Sequence, residues 1–405
     1  MIKREAYMNR IRPFMGTDLV KVLTGMRRSG KSVMLELIKD ELIEQGVSPS
    51  QCLSINFENM NNAYLCTADA LHEEVSTIIS QLDGKAYLFF DEIQEVLSWE
   101  TCINSFRVEF DCDIYITGSN AKLLSSELAT FLAGRYVEFV IYPFSFLEFT
   151  ELFTQTHPQM SESELFANYL SLGGMPYLSN LRYDAVSSQL YLQDLFNSVV
   201  LKDIVKRHKV RDVDLLERII TYVFANIGNV YSASSISKYF RNENRIVAPE
   251  TVLNYINHCT DAYLYYRVRR QDLHGKKLLT VNEKYYVADH GIREAVFGDN
   301  AKDINLILEN IIFMELLRRG YSVTVGKSGT KEIDFVCEQR NEVLYIQVAY
   351  LLATNETVER EFGAYDSIRD NHPKYVVTLD EFDMSRKGIK HRNIRDFLLM
   401  PEWTR

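Results

Sequence analysis

The first 150 residues alternate short apolar runs with amphipathic stretches. Apolar runs at Leu19–Thr24, Cys52–Phe57, Tyr87–Asp91, Ile114–Gly118 and Val137–Ile141 predict strands, with helical periodicity between them. Regular alternation of this kind predicts an α/β fold built on a parallel sheet. Ala86-Tyr87-Leu88-Phe89-Phe90 has no polar interruption, as expected of a central strand buried on both faces. Leu35, Ile38 and Leu42 recur on one face of a helix over Val33–Gln45, and Gly46 suits its C-terminal stop. Pro143 closes this region.

The pattern then changes. Ser145 to about Arg211 is helix-rich and is broken at Gly173-Gly174-Met175-Pro176. Val213–Asn226, Ser232–Phe240 and Pro249–Tyr263 predict three further helices, Ser232 and Pro249 being N-terminal residue types. Leu264–Arg270 and Lys277–Val281 predict a hairpin around Gly275. An amphipathic helix carrying Ile307, Leu308, Ile311, Ile312, Leu316 and Leu317 leads to strands at Tyr321–Val325, Lys331–Val336 and Val343–Ala349. These shifts divide the chain into 1–150, 151–211, 212–298 and 299–405. A chain of 405 residues exceeds one ordinary core, consistent with several domains.

Composition narrows the class. Apolar content of 46% with 25% charged residues is globular, and no apolar run reaches the length of a membrane span. The N-terminus lacks the apolar core of a signal peptide, and six scattered cysteines without a C-x-x-C pair fit reduced thiols and no zinc site. The expected location is the cytoplasm. A net charge of -10 disfavours indiscriminate nucleic-acid binding.

The chemistry concentrates at residues 25–33. Gly25-Met26-Arg27-Arg28-Ser29-Gly30-Lys31-Ser32 spells G-x-x-x-x-G-K-S between a predicted strand and a predicted helix, with Val33 next. The glycines allow main-chain N–H groups to cradle a polyphosphate, Lys31 reaches its β/γ-phosphates, and the Ser32 hydroxyl ligates Mg²⁺. The strand Ala86–Phe90 ends in Asp91-Glu92, at the sheet edge where open α/β folds place ligands. Asp91 is expected to hold Mg²⁺ through water and Glu92 to act as general base. Beyond Ile114–Thr117, Ser119 and Asn120 either hydrogen-bond the lytic water or γ-phosphate or form a plain polar turn. Arg135 either stabilises transition-state charge, in its own chain or a neighbour's, or makes a structural salt bridge.

G-M-R-R-S-G-K-S, F-F-D-E-I-Q with Trp99, I-T-G-S-N-A-K-L-L-S, L-A-G-R-Y and Y-P-F-S-F-L-E-F together resemble the prokaryotic AAA-like ATPases of the ATP-binding/nuclease-like-domain group. The resemblance implies an AAA-type P-loop ATPase domain that uses ATP and Mg²⁺, a helical lid-like segment over 151–211, then a winged-helix domain and a small α/β nuclease-like domain. It also implies possible self-association, since AAA-type domains often need a neighbour's arginine.

Three helices and a hairpin over 212–298 fit a winged helix. Between Tyr231 and Tyr285, nine Lys/Arg face five Asp/Glu. Arg245, Arg267, Arg269, Arg270, Lys276 and Lys277 either meet DNA phosphates or are ordinary solvated surface on an interdomain coupler. In the last region Glu309 and Asp334 match the acidic helix and strand positions of a PD-(D/E)XK nuclease core. Gln347 stands where a carboxylate belongs and Ala349 where the lysine belongs. Loss of one anionic ligand and of the water-activating amine predicts the fold without nuclease activity. The leading expectation is an Mg-dependent ATPase whose nucleotide state controls the appended modules. The alternatives are a nucleotide-gated DNA-binding protein with little hydrolysis, and an active DNA nuclease.

Overall fold

The computed structural model describes residues 2–121, 134–273, 277–298, 300–329, 331–340 and 342–403, without the side chains of 277–281. The described chain forms two compact units, one of residues 1–142 with 261–263, the other of 143–260 with 264–405.

The first unit is built on a five-stranded parallel sheet of β1 (Val20–Thr24), β2 (Cys52–Asn56), β3 (Ala86–Asp91), β4 (Cys112–Thr117) and β5 (Tyr136–Val140), ordered β2-β3-β4-β1-β5. All five predicted strands are present. β1 and β4 are buried along their whole length, as central parallel strands require. On one face, Val22, Leu88, Phe90, Ile114 and Ile116 pack with Leu71 and Val75 of the helix Ala68–Ile79 and with Trp99, Ile103 and Phe106 of the helix Trp99–Glu109. Buried Met34, Leu35, Ile38 and Leu42 lie on the helix Lys31–Glu44, the one the periodicity predicts.

The second unit begins with helices Phe146–Thr156 and Glu162–Leu172. Each starts with a Ser-x-x-Glu box in which Ser145 or Ser161 and the glutamate three residues on satisfy each other's backbone N–H. The Gly173-Gly174 break has a steric cause: a Cβ on Gly173 would stand 2.6 Å from Gly291 N, and one on Gly174 2.2 Å from the Phe144 carbonyl oxygen. Asp289 accepts from Gly174 N at 2.7 Å and caps the helix His290–Val296 through Ile292 N at 3.0 Å. The helix Ala185–Ser198 runs on as π-helix over Val199–Lys206.

A seven-stranded mixed sheet follows, of β6 (Tyr265–Asp272), β7 (Lys277–Val287), β8 (Ser322–Ser328), β9 (Lys331–Gln339), β10 (Glu342–Val348), β11 (Lys374–Thr378) and β12 (Lys390–Asn393). Its order is β12-β11-β10-β9-β8-β6-β7. The expected helices are present at Val213–Ala225, Ala233–Asn242 and Pro249–Asp261. The hairpin, however, is not a free wing. β6 pairs in parallel with β8, so one sheet runs through the expected boundary at residue 298. The helix Ile304–Arg319 packs against this sheet, with Ile307, Leu308, Ile311, Ile312 and Leu316 buried.

Candidate nucleotide site

β1 ends at Thr24, and the chain turns through Gly25–Gly30 into the helix Lys31–Glu44. Gly25 has φ +134°, and a Cβ there would stand 2.3 Å from the Ile141 carbonyl oxygen, so only glycine fits. Gly30, at φ +100°, precedes the helix, whose first N–H groups have no side-chain cap. An uncapped helix start at the mouth of a left-handed loop is an anion site in form. Arg4 braces the loop from outside: its guanidinium donates to the Ser29 carbonyl at 3.1 Å and to the Tyr142 carbonyl at 2.9 Å.

Lys31 is buried. Its Nζ donates to the carbonyls of Gly25 (3.2 Å) and Met26 (3.1 Å) and lies 3.9 Å from Glu92 Oε1. Ser32 follows on the exposed side of the first turn, beside exposed Val33. Arg27 pairs with Glu58 at 3.0 Å, and Arg28 is exposed in the left-handed region.

The acidic pair is held by a residue that sequence reasoning passed over. Thr117, last in β4 and fully buried, donates its hydroxyl to Asp91 Oδ1 at 2.6 Å and accepts the Glu92 N–H at 2.9 Å. Asn56, last in β2, donates to Asp91 Oδ2 at 2.8 Å. Gln94 donates to Glu92 Oε2. Glu92 itself takes a left-handed backbone at φ 56°, unusual for a glutamate and typical of functional positions. The neighbouring strand ends thus fix Asp91, while a local turn and Gln94 aim Glu92 towards Lys31.

Ser119 is fully buried just past β4, and the N–H of Gly118 donates to the Leu23 carbonyl at 3.1 Å. Among the described residues the hydroxyls of Ser29 and Ser119 are buried without a hydrogen-bond partner. Two orphan donors, a buried ammonium and an uncapped helix start fit a nucleoside triphosphate. The Ser32 hydroxyl and the Asp91 carboxylate are hard oxygen ligands suited to Mg²⁺. Asn120 is half-buried beside Ser119.

Arg135 is not brought to this cluster. It is exposed just before β5, with its carbonyl accepting Val20 N–H at 3.0 Å, at the start of β1. The loop leaves the other end of β1, roughly 13 Å away at about 3.3 Å per residue. The strand-end position therefore removes the expectation that Arg135 serves its own chain's site.

The basic residues of the second unit are mostly committed elsewhere. Arg245 binds Asp212 at 2.8 Å and also Asp214; Arg267 lies 3.8 Å from Glu283, and Arg270 3.0 Å from Glu332. Arg269 is exposed on β6. Lys276 and the side chain of Lys277 lie outside the described residues.

Glu309 and Asp334 do come together, with two residues the motif reading did not include. Lys284 Nζ, from β7, lies 2.9 Å from Glu309 Oε1, 3.0 Å from Glu332 Oε1 and 3.7 Å from Asp334 Oδ1. Burial alone would lower the lysine's pKa, but the carboxylates of Glu309, Asp334 and Glu332 outweigh it and the net shift is upward. Asp334 is pushed well above the usual carboxylate range, first by burial and then by Glu309. Gln347 turns its Oε1 back to accept the Asp334 N–H at 3.2 Å. Ala349 is buried.

Comparison with known proteins assigns the fold. Residues 17–150 match the AAA domain family, and residues 163–303 match a domain of unknown function (DUF8612). An uncharacterized protein of Haemophilus influenzae is 37% identical over 400 residues, spanning 98% of this chain and 99% of that protein. This chain belongs to the same family. A second relative, an uncharacterized protein of Methanocaldococcus jannaschii, is 29% identical over 372 residues, covering 87% of this chain and 79% of that one. Among solved structures, the Walker-type ATPase PABY2304 of Pyrococcus abyssi superposes with a TM-score of 0.51. Its identity is 15%, over 73% of this chain and 95% of that one, which is likeness of fold alone. Residues 17–150 of this chain are therefore an AAA-type P-loop domain. None of the chain's helices, among the described residues, is long and apolar enough to cross a membrane.

Proposed function

We propose that this chain is an Mg²⁺-dependent ATPase that binds ATP at Gly25–Val33. The observation that carries the reading is the Thr117-bridged Asp91–Glu92 pair, with Glu92 3.9 Å from Lys31 at the mouth of the phosphate loop. The loop's N–H groups and Lys31 would bind the phosphates. Ser32 and Asp91 would hold Mg²⁺, which supplies charge neutralisation on the phosphoryl oxygens when bound. Glu92 would take the proton of the attacking water, and the buried hydroxyl of Ser119, with Asn120, would orient it. ATP is preferred over other nucleotides on the strength of the family resemblance.

The same reading extends to the rest of the chain. The nucleotide state would be passed to a helical segment (151–211), and to winged-helix (212–298) and inactive nuclease-like (299–405) parts that share one sheet. Ordering around a γ-phosphate and release after hydrolysis is a known switch of this kind. A homo-oligomer in which one chain's Arg135 reaches a neighbour's site accounts for an exposed arginine so far from its own. DNA contact through the second unit rests on exposed Arg269 and the undescribed lysines. The carboxylate pairing of Arg245, Arg267 and Arg270 weighs against a large role for it. A cytoplasmic location fits the free state of all six cysteines.

Phosphate release tests the catalytic reading. Lys31→Ala should abolish or strongly weaken ATP binding, and Glu92→Gln should bind ATP yet turn over at least about a hundredfold more slowly. Undiminished hydrolysis by both variants would remove the proposal.

A further inference from the structure

The nuclease-like resemblance calls for a divalent metal between Glu309 and Asp334, and the residues present do not fit one. Lys284 Nζ already touches oxygens of Glu309 and Glu332 at 2.9 and 3.0 Å and approaches Asp334 at 3.7 Å. A divalent ion would need those same oxygens at about 2.0–2.6 Å. Other contacts crowd the same cluster. Asp334 Oδ2 accepts the Val348 N–H at 2.9 Å, Glu332 Oε2 accepts from Arg270 at 3.0 Å, and the Tyr286 hydroxyl donates to Glu309 Oε1, the oxygen that Lys284 also holds. Finally, Gln347, at the position of the motif carboxylate, faces a backbone N–H.

We infer that Lys284 is a built-in cation standing in the place of the divalent metal, so that the C-terminal acidic cluster is closed to metal by the chain itself. The geometry is specific to the hairpin. β7 supplies Lys284 and β6 supplies Arg270, and both strands belong to the same sheet as Glu332 and Asp334 on β9. Three carboxylates from a helix and a strand thus meet two cations from the hairpin. A buried carboxylate cluster without a cation is strongly destabilising, and an ammonium anchored by its own chain removes the need for an external one. This accounts for the missing motif lysine as well. An ammonium is present in the cluster, but it lies on a different strand and is bonded to the would-be metal ligands. It is therefore not poised over a water.

Substitution of the lysine tests this on the full chain without nucleotide. Mn²⁺ titrations followed by electron paramagnetic resonance, in a Lys31→Ala background that disables the phosphate loop, should give no tight site when Lys284 is present. Lys284→Met should create one site per chain, on the order of tenfold tighter or more, because one positive charge leaves the carboxylates. Glu309→Gln added to Lys284→Met should erase it. If Lys284→Met does not fold in metal-free buffer, millimolar Mn²⁺ should restore its circular dichroism. The inference is overturned by Mn²⁺ binding in the Lys284 protein that Asp334→Asn abolishes. It is equally overturned by a folded Lys284→Met protein with no gain in binding, or by an unfolded one that Mn²⁺ does not rescue. None of these outcomes depends on ATP hydrolysis.

Discussion

Replacing Thr117 by valine removes one hydroxyl and keeps the shape. That hydroxyl is fully buried and has two partners: it donates to Asp91 Oδ1 at 2.6 Å and accepts the Glu92 N–H at 2.9 Å. Valine leaves the Glu92 N–H without an acceptor in a buried position, at about 1–3 kcal/mol, and removes a hydrogen bond to a carboxylate worth about 1.5–3 kcal/mol. Asn56 still holds the other Asp91 oxygen, so relaxation recovers part of this. A net loss of roughly 2–4 kcal/mol of stability in the first unit is expected. Glu92 adopts a left-handed backbone that its N–H contact helps to hold, so turnover should fall by roughly ten- to a hundredfold at about 1.4 kcal/mol per decade. The chain's two tryptophans, Trp99 and Trp403, are buried in different units, so Trp403→Phe leaves Trp99 fluorescence as a reporter of the first unit alone. Thr117→Ser keeps the hydroxyl and should retain most of both properties. If Thr117→Val matches Thr117→Ser in urea unfolding and in phosphate release, the bridging role is refuted.

Gly25→Ala places a Cβ 2.3 Å from the Ile141 carbonyl oxygen, at a φ that side chains avoid. It should destabilise the first unit by about 1–3 kcal/mol and abolish binding of a fluorescent ATP analogue, and retained binding would exclude the loop geometry. His290 and His391 are buried, and burial holds both pKa values below the ordinary 6.5. Their folded forms are neutral: His391 Nδ1 accepts the Met384 N–H at 3.2 Å, and His290 Nε2 donates to the Tyr169 carbonyl at 2.6 Å. The unfolded chain takes up protons first, so stability is complete above about pH 6.5 and falls as pH drops, by up to ~1.4 kcal/mol per pH unit for each histidine. Urea unfolding of the second unit, read from Trp403 in a Trp99→Phe background, should show this slope, and His391→Gln should reduce it; an unchanged slope would count against the assignment.

The first unit was largely legible before the structure. Its strands are uninterrupted apolar runs, and the phosphate loop has a spelling that leaves little freedom. Thr117 was not legible, because its role depends on register: β4 must place it beside Leu23 on one side and opposite the end of β3 on the other. Position also bears on Arg135, which the sequence leaves between its own chain's site, a neighbour's site and a salt bridge. Its residue type suits phosphoryl transfer, but its place at the beginning of a strand puts it at the wrong end of a parallel sheet. In the second unit, the second hairpin strand is expected over Lys277–Val281 only. The strand in fact continues to Val287, with Asn282 at φ 67° and Lys284 turned into the acidic cluster. That cluster draws on a hairpin, a helix and a strand with no local spacing to join them. Only tertiary structure reveals why an acidic site with no motif lysine is nonetheless neutralised.

Isothermal titration of ATP with Mg²⁺ into the purified chain tests the central claim most directly. One saturable site per chain is predicted, with its heat abolished by Lys31→Ala and retained by Glu92→Gln. No saturable heat from the unsubstituted chain, or equal binding after Lys31→Ala, would contradict it.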